Sequence, residues 1–408
     1  MNAPLREIAA CEVCGNTALL PVLNLGNHPL CDDLVPIGGD RICREYPIEI
    51  LFCDQCITAC HRFNVPKRDL FPDSYHYRAR FTADVLKGME GLVDSCVQQF
   101  GGLEGKRVLD IGCNDGSLLD FFRKRGALTF GIEPTGAADD AAEKGHTIVK
   151  DFLAPSIADA LVATYGKPDF ITFTNVFAHI ENLQEVLDSL KILMHSQTVI
   201  VIENHYLGAI LGGNQFDTFY HEHPRTYSLT SFKHIARYLG MMVLKAEFPA
   251  RYGGNIRVFL ANVGQNRTDI PAVDESNFAE KFCIMATNMA CWQHAKKAQL
   301  NEQARKSGAF RAKAFPGRAA ILIKLLVLDE TMISAVYEKP GSMKIGHYVP
   351  GTRIPILSDE VLFGEADQSA PILNLAWHIP KEIRSYLSAN LYRGEVTDII
   401  EPGDFRAA

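Results

Sequence analysis

The chain has 408 residues, which is long enough for two or three domains with cores of their own. Its 41 basic and 48 acidic side chains give a net charge of −7, and this argues against a general binder of nucleic acid or membrane surfaces. No apolar stretch reaches the ~18 residues of a membrane span, and the first residues lack the pattern of a signal peptide. We expect a soluble, cytoplasmic α/β protein.

The residue pattern divides the chain into three predicted domains, 1–80, 81–245 and 246–408. The first is rich in Cys, Pro and Gly and contains a strand pattern over 45–53. The second alternates apolar runs with amphipathic helical patterns, which is typical of a parallel sheet with crossover helices. Its predicted strands are 108–112, 129–133, 169–173 and 198–203, and its helices include 117–126 and 183–194.

The third predicted domain starts with a strand pattern over 252–261 and continues with a long helix over 275–307. After that helix, 319–328, 331–338 and 371–377 again alternate between helical and strand patterns. This zone therefore predicts a second, smaller α/β unit.

Eleven cysteines are an odd number in a large chain, so a disulfide framework is not expected. Cys11 and Cys14 form one C-x-x-C pair, and Cys53 and Cys56 form another; two such turns complete a tetrahedral zinc site. A redox pair is the alternative, but neither pair opens a helix after a strand, and chance pairing also stays open. We predict one structural zinc with four cysteine ligands and no catalytic role. Four scattered cysteines are expected to be buried thiols: Cys96, Cys113, Cys283 and Cys291.

The segment KRVLDIGCNDGSLL (106–119) is the most informative motif. A strand ends at Asp110, and Gly112 and Gly116 let the backbone turn into a helix. The pattern differs from the dinucleotide motif and lacks the P-loop lysine, although a tight turn in an unrelated Rossmann-like domain is an alternative. It resembles motif I of S-adenosylmethionine (SAM)-dependent methyltransferases.

This resemblance implies a SAM site at the end of the predicted parallel sheet. Glu133 ends the second strand, where a carboxylate accepts hydrogen bonds from both ribose hydroxyls. The resemblance places Asp151 and Phe152 beside the adenine and NVFAHI (175–180) after the fourth strand. The complete predicted cofactor set is Asp110, Gly112, Asn114, Gly116, Glu133, Asp151, Phe152 and Asn175.

The segment FDTFYHEHPRTYSL (216–229) is unusually dense in titratable groups. Structural roles could account for one or two of them. His223 and Glu222 suit general base catalysis near neutral pH, and Tyr220 suits an electrophile that polarises a carbonyl. We therefore predict a catalytic loop at the carboxyl edge of the sheet.

Together these segments resemble the nucleotide-sugar C-methyltransferases, which methylate a carbon next to a keto group to make branched deoxysugars. The resemblance spans nearly the whole chain and is carried by the two cysteine pairs, LGNHPLCDDLV (25–35), DSYHYRARF (73–81), VLDIGCNDGSLL (108–119), NVFAHI (175–180), FDTFYHEH (216–223), YGGNIRVF (252–259) and KIGHYVPGTRIPI (344–356). It implies a zinc-binding amino terminus, a Rossmann-like SAM methyltransferase core and a Rossmann-like carboxyl-terminal domain that helps to hold the nucleotide.

The family resemblance also implies roles for individual residues. Tyr220, Glu222 and His223 would act as acid, base and orienter, with Tyr75 or Tyr77, together with His179, in the sugar pocket. The expected substrate-binding residues are Asn204, His221, Asn255, Arg257, Lys344, Tyr348 and Arg353. Lys344 and Arg353 would neutralise the diphosphate, although Pro350-Gly351 could simply turn the chain. Where relatives carry a glycine-rich turn this chain reads AKAFPGRAA (312–320), so TDP, GDP and CDP all stay open.

The expected reaction is methylation at C-3 of a nucleotide-linked 4-keto-6-deoxysugar, with His223 favoured as the base, Glu222 second and Tyr220 as the donor to the enolate. Methylation at C-5 is the near alternative. A zinc-ribbon enzyme that methylates RNA or protein is the distant one, and the acidic net charge counts against it. We expect a monomer that binds neither nucleic acid nor membrane.

Overall fold

The computed structural model describes residues 5–73, 75, 77–251, 253–262, 270–401 and 403–405. Two compact units make up the chain. The first comprises Met1–Leu20, Leu51–Ile210 and Glu222–Phe278, and the second comprises Pro21–Ile50, Leu211–His221 and Ala279–Ala408. The division into three domains stays a prediction. In the described part of the chain, no helix is both long and apolar enough to cross a bilayer.

The amino-terminal segment is built from short strands, as its turn-rich sequence predicts. Its elements are β1 (Arg6–Glu7), β2 (Leu20–Pro29), β3 (Val35–Pro36), β4 (Glu45–Cys53), β5 (Thr58–His61), β6 (Phe63–Asn64) and helix α1 (Lys67–Leu70). The bounds of β4 are those of the predicted strand, in which buried and less buried side chains alternate before a fully buried end.

The middle of the chain alternates strands and helices. Its elements are α2 (Ala83–Phe100), β7 (Arg107–Ile111), α3 (Ser117–Lys124), β8 (Leu128–Ile132), α4 (Ala137–Glu143), β9 (Thr147–Val149), α5 (Pro155–Tyr165), β10 (Phe170–Thr174), α6 (Leu183–Leu193), β11 (Val199–His205), α7 (Leu207–Gly212), β12 (Arg225–Thr226), α8 (Leu229–Tyr238), β13 (Met241–Glu247) and β14 (Asn255–Asn262). Short 3₁₀ turns lie at Phe177–His179 and Phe216–Thr218.

Within the described residues, the first unit contains a seven-stranded sheet in the order β13-β14-β11-β10-β7-β8-β9. All neighbouring pairs are parallel except those that β14 makes with β11 and β13. In chain order, the first five strands of this sheet are β7 to β11, and they follow the Rossmann order 3-2-1-4-5. The topological switch point of this order lies between β7 and β10. Ligands of such sheets bind at the carboxyl ends of the strands beside this point.

One predicted strand lies in a different sheet from the one its position in the sequence suggests. The pattern at 252–261 is predicted to open the third domain, but β14 is the antiparallel strand beside β11 in the first sheet. Seven of its eight residues are buried, which suits an interior strand. Tyr252, the first residue of this predicted strand, lies outside the described residues.

The carboxyl-terminal part begins with the predicted long helix. Its elements are α9 (Phe278–Ser307), β15 (Phe310–Lys313), α10 (Ala319–Leu326), β16 (Ile333–Glu338), β17 (His347–Tyr348), β18 (Ile356–Ser358), α11 (Asp359–Gly364), β19 (Ile372–Asn374), α12 (Pro380–Ala389) and β20 (Val396–Asp398). Cys283 and Cys291 lie on α9 and are exposed, so the prediction that they are buried is wrong. Apolar neighbours in sequence do not bury a residue that lies on the solvent side of a helix.

The second unit contains a parallel sheet in the order β18-β16-β15-β19-β20, five strands in the described part of the chain. This is again the order 3-2-1-4-5, with its switch point between β15 and β19. The prediction of a second, Rossmann-like α/β unit is confirmed.

Candidate functional site

The two cysteine pairs meet in the first unit. The Sγ atoms of Cys11, Cys14, Cys53 and Cys56 all lie within 4.8 Å of one another. Cys11 Sγ is 3.4 Å from Cys56 Sγ, and Cys14 Sγ is 3.5 Å from Cys53 Sγ, close to the roughly 3.8 Å expected between sulfurs around one zinc. The hydrogen bond between Cys11 and Cys56 lowers the pKa of Cys11 and raises that of Cys56, so Cys11 is the more readily ionised of the two. Four thiolates form a closed structural zinc site.

The zinc site contacts the segment that follows the predicted catalytic loop. Glu12, inside the first C-x-x-C turn, forms an ion pair with the buried Arg225. Strand β5, just after Cys56, pairs with β12, which contains Arg225. Ser231 at the start of α8 donates hydrogen bonds to the carbonyls of Cys56 and Ile57. The metal-binding turns thereby brace the chain directly after His223.

The glycine loop after β7 has the close packing that the motif predicts. Gly112 has a φ of 68°, and a Cβ there would lie 2.6 Å from Val176 Cγ2. Gly116 is left-handed, and a Cβ there would lie 2.8 Å from His146 Cδ2. Both positions therefore need glycine for conformation and for space.

Glu133 directly follows β8 and is buried beside this loop. Its Oε2 accepts a 2.9 Å hydrogen bond from the backbone N–H of Asn114, and its Oε1 accepts from the N–H and hydroxyl of Thr135. A carboxylate has about four acceptor positions, so this oriented group keeps capacity for a ribose hydroxyl. The Asn114 side chain is used elsewhere, since it binds the backbone of Tyr77 and Ala79.

Asp110 is buried within the sheet and not at its open edge. Its Oδ1 accepts a 2.7 Å hydrogen bond from the Thr172 hydroxyl on β10. Burial raises the pKa of Asp110 to about 7. The geometry gives Asp110 a role in joining β7 to β10, and direct contact with the cofactor stays a prediction.

The other predicted cofactor residues lie on neighbouring strand ends. Asp151 is exposed after β9, and Phe152 beside it is half-buried with Lys67 Nζ 4.7 Å from its ring centroid. Asn175 follows β10 in a left-handed conformation, and its N–H donates to the carbonyl of Glu203. Asn175 thus lies at the switch point of the first sheet, whereas Asp151 and Phe152 follow its edge strand β9.

A cluster of titratable side chains assembles in the first unit. The Tyr75 hydroxyl donates a 3.2 Å hydrogen bond to Glu222 Oε2. The His223 ring lies between two other imidazoles, with centroids 4.9 Å away at His179 and 5.3 Å away at His205. Burial, together with His223, holds the pKa of His179 well below its usual value, so His179 is neutral at pH 7. The cluster combines a hydroxyl donor, a carboxyl group and three imidazoles, of which that of His179 is neutral.

The other two predicted catalytic tyrosines are Tyr77 and Tyr220. The Tyr77 side chain is 43% exposed, whereas Tyr75 reaches Glu222. Tyr220 is half-buried and belongs to the second unit, as does His221. His221 is buried with Nε2 3.1 Å from the carbonyl of Tyr46, and burial lowers the pKa of His221 to about 4. A substrate role for His221 stays a prediction beside this structural contact.

Three buried polar groups near the ends of β10, β11 and β14 have unused hydrogen-bonding capacity. Among the described residues, no partner contacts Thr174 Oγ1, Asn255 Oδ1 or either side-chain amide atom of Asn204. Unsatisfied buried polar atoms are costly, so their concentration at this edge indicates a site for a polar ligand. Asn255 is anchored by its Nδ2, which donates to Glu203 at 3.1 Å.

The predicted substrate-binding cations are engaged by the protein. Arg257 binds Glu203 through Nε at 2.7 Å and Glu247 through Nη1 at 2.8 Å. In the second unit, Lys344 donates to the carbonyl of Phe315, and Arg353 donates to the carbonyls of Gly39, Asp40 and Arg41. The Tyr348 hydroxyl accepts from the N–H of Gly38. These contacts are structural, and contact with substrate stays a prediction for all four side chains.

Sequence reasoning missed two functional candidates at the end of β11. His205 packs beside His223, and the fully buried Glu203 receives hydrogen bonds from Arg251, Asn255 and Arg257. Their signal was present in TVIVIENHYL, because polar residues that end a buried parallel strand lie at the ligand edge of the sheet.

The chain matches three family models in sequence order. Residues 11–71 match a zinc binding domain, residues 85–246 a methyltransferase domain, and residues 250–397 a C-methyltransferase C-terminal domain. Among curated proteins, C-methyltransferase NovU of Streptomyces niveus is 28% identical over 397 residues, which cover 94% of this chain and 93% of that protein.

Two partial similarities concern the methyltransferase part. Ubiquinone biosynthesis O-methyltransferase of Histophilus somni is 31% identical over 110 residues, covering 25% of this chain and 46% of that protein. A magnesium protoporphyrin IX methyltransferase from Synechocystis, solved with bound SAM, is 17% identical and covers 43% of this chain and 79% of its own, with a TM-score of 0.32. The three consecutive domain matches and the full-length similarity to NovU show that the chain belongs to the SAM-dependent C-methyltransferases.

Proposed function

We propose that this C-methyltransferase acts on a nucleotide-linked 4-keto-6-deoxysugar and methylates C-3, the carbon next to the ketone. The observation that carries the proposal is the cluster at Tyr75, Glu222 and His223, in which a base and a hydroxyl donor lie together in the first unit. A saturated sugar carbon becomes a nucleophile when a proton is removed from it, and a neighbouring carbonyl makes that proton acidic.

His223 is the proposed base. It takes the C-3 proton on a ring nitrogen, and the electron pair of the broken C–H bond forms the enolate. Since His179 is neutral at pH 7, no charged imidazole at that position opposes protonation of His223. Glu222 is the second candidate, and its Oε2 already accepts a hydrogen bond from the Tyr75 hydroxyl.

The enolate oxygen needs a donor, and Tyr220 is proposed for this role, since a tyrosine hydroxyl donates without carrying charge. The unused amide of Asn204 is proposed to bind a polar group of the sugar. Bound SAM supplies the electrophilic methyl group. Glu133 and the backbone around Gly112 would hold that cofactor, while the zinc site takes no part in the chemistry.

The test is a methyl-transfer assay with a panel of TDP, GDP and CDP 4-keto-6-deoxysugars, followed by NMR of the product. A new methyl carbon on C-3 supports the proposal; a methyl on C-5 or on a hydroxyl oxygen contradicts it. His223→Ala should lower kcat by about 10²–10⁴-fold, the range of general base catalysis. His195→Ala, a half-buried histidine whose Nδ1 accepts from Gln197, is the control and should keep full activity.

A second arm isolates proton removal from methyl transfer. With S-adenosylhomocysteine, which has no methyl to donate, the wild type in D₂O should exchange the C-3 proton for deuterium. Glu222→Gln should retain this exchange if His223 is the base. Full turnover in both His223→Ala and Glu222→Gln would remove the loop from the mechanism.

A further inference from the structure

The carboxyl edge of the second sheet is filled by the chain itself. Asp217, part of the FDTFYHEH motif, is fully buried in the second unit. Its Oδ2 accepts from Arg318 Nε at 2.8 Å and its Oδ1 from Arg318 Nη2 at 2.5 Å. The Trp377 indole N–H donates to Oδ2 at 2.8 Å. One carboxylate thus receives three hydrogen bonds.

The partners of Asp217 come from both sides of the switch point. Arg318 immediately precedes α10 in the loop after β15, and Trp377 lies in the loop after β19. In a Rossmann-like sheet these two loops form the crevice that normally takes a ligand. The Arg318 guanidinium also lies 5.2 Å from the centroid of the Trp377 ring. The crevice therefore holds a carboxylate of the protein at the position where an anionic ligand would be expected.

The contacts on either side of Asp217 fix the whole segment. Phe216 packs on Trp292, with ring centroids 5.1 Å apart, and Phe219 packs on Phe282 at 5.9 Å. Asn214 accepts a hydrogen bond from Asn288 on the same long helix. Residues 214–219 are thus packed into the second unit. Tyr220 follows this segment, and Glu222 and His223 come directly afterwards in the chain.

We propose that Asp217 is a positioning residue, and that the switch point of the second sheet is a socket that fixes the start of the catalytic loop. This inference rests on the proposed function of Tyr220, Glu222 and His223. The buried pair between Asp217 and Arg318 sets the register of a loop whose reactive atoms need precise placement. Release of Asp217 is therefore expected to displace Tyr220, which lies three residues further along the chain.

The test compares two buried ion pairs of the second unit in the full-length protein. Asp217→Asn removes the charge of the socket pair, and Arg318→Lys keeps the charge but loses the two-nitrogen contact. The matched control is Asp359→Asn, because Asp359 pairs with Lys313 Nζ at 3.0 Å and both are buried. Breaking a buried pair costs stability in either place, so loss of stability alone does not separate the variants.

Hydrogen–deuterium exchange of peptides covering 216–224 is the readout that needs no substrate. We expect faster exchange in Asp217→Asn than in Asp359→Asn. We also expect kcat to fall by about 10–100-fold in Asp217→Asn, with the affinity for SAM and the KM for the sugar changed less than threefold, since small misplacement of reacting groups lowers the chemical step. Arg318→Lys should lie between wild type and Asp217→Asn.

Three results would overturn the inference: unchanged exchange over 216–224, unchanged kcat despite faster exchange, or an equal loss of kcat in Asp359→Asn. A fourth contrary result would be nucleotide binding in this crevice. Addition of TDP, GDP or CDP would then shift the NMR resonance of the Trp377 indole N–H and displace Asp217. If the wild type methylates no keto sugar, the proposed function fails, while the exchange experiment still decides whether Asp217 holds the loop.

Discussion

The two parallel sheets share one strand order and differ in what lies at the switch point. In the first, a carboxylate after the second strand binds a backbone N–H of the first loop, through Glu133 and Asn114. The second repeats this arrangement, with Glu338 binding the N–H of Phe315. The first crevice carries a glycine turn and spare acceptor capacity, whereas the second contains Arg318 and Trp377 closed on Asp217. Similar frameworks thus support cofactor binding in one place and chain anchoring in the other.

The largest effect should come from the glycine turn of the first sheet. Gly112→Val should abolish SAM binding, because its Cβ would meet Val176 and displace the loop. Isothermal titration calorimetry measures this directly. Gly240→Val is the control, since Gly240 has a similar φ of 71° with nothing within 4 Å of an added Cβ. Equal loss of binding in both variants would mean that backbone strain, and not the close packing at Gly112, is responsible.

Loss of the metal site should disturb the catalytic loop from its other end. Cys53→Ser should lower the zinc content from about one per chain to near zero and destabilise the first unit, since structural zinc contributes directly to folding. Because β5 and Glu12 brace Arg225, we expect turnover to fall by about tenfold or more while SAM still binds. The Trp377 indole resonance should not change. Zinc-free wild-type protein with full turnover would contradict this coupling.

Substitution of Glu133 and of Glu338, the equivalent carboxylates of the two sheets, should show that only the first sheet takes part in cofactor binding. Glu133→Ala should weaken SAM binding by about 1–3 kcal/mol, the usual cost of lost buried hydrogen bonds. Glu338→Ala should leave SAM affinity unchanged, although it removes the equivalent contact in the second sheet. Calorimetry on both variants gives the comparison. If Glu338→Ala weakened SAM binding as much as Glu133→Ala, the effect would not be specific to the first sheet.

The smallest effects are opposite responses to pH. Burial raises the pKa of Asp110 from 3.8 to about 7, so the folded state keeps a proton that the unfolded state loses, and stability falls as pH rises between these values. Burial lowers the pKa of His378 from 6.5 to about 4, so stability falls as pH drops through that range.

These directions predict two opposite shifts in unfolding midpoints. Relative to wild type, Asp110→Asn should gain stability at pH 8 compared with pH 5, and His378→Gln should gain at pH 5 compared with pH 8. Each gain should be a few kcal/mol at most, since one pKa unit corresponds to about 1.4 kcal/mol. Urea titrations at both pH values measure the differences. Shifts in the same direction in both variants would show that at least one of the two groups does not titrate as described.

The sequence predicts the sheets well because strand periodicity and glycine turns are local signals. The strand over 169–173 is found at Phe170–Thr174, and the predicted cysteine cluster assembles. The role of Asp217 could not be read from the motif, because its partners Arg318 and Trp377 are 101 and 160 residues away. The neighbours of His223 also depend on the way separate strand ends converge. Long-range contacts of this kind leave no periodic pattern in the sequence.

The second unit is discontinuous in the chain, and this has a consequence for recombination among related enzymes. Residues 211–221 belong with 279–408, although the first unit separates them in sequence. An exchange of carboxyl-terminal halves that leaves 211–221 behind would combine Asp217 of one parent with Arg318 and Trp377 of another. Functional chimaeras of this protein should therefore inherit both segments from the same parent.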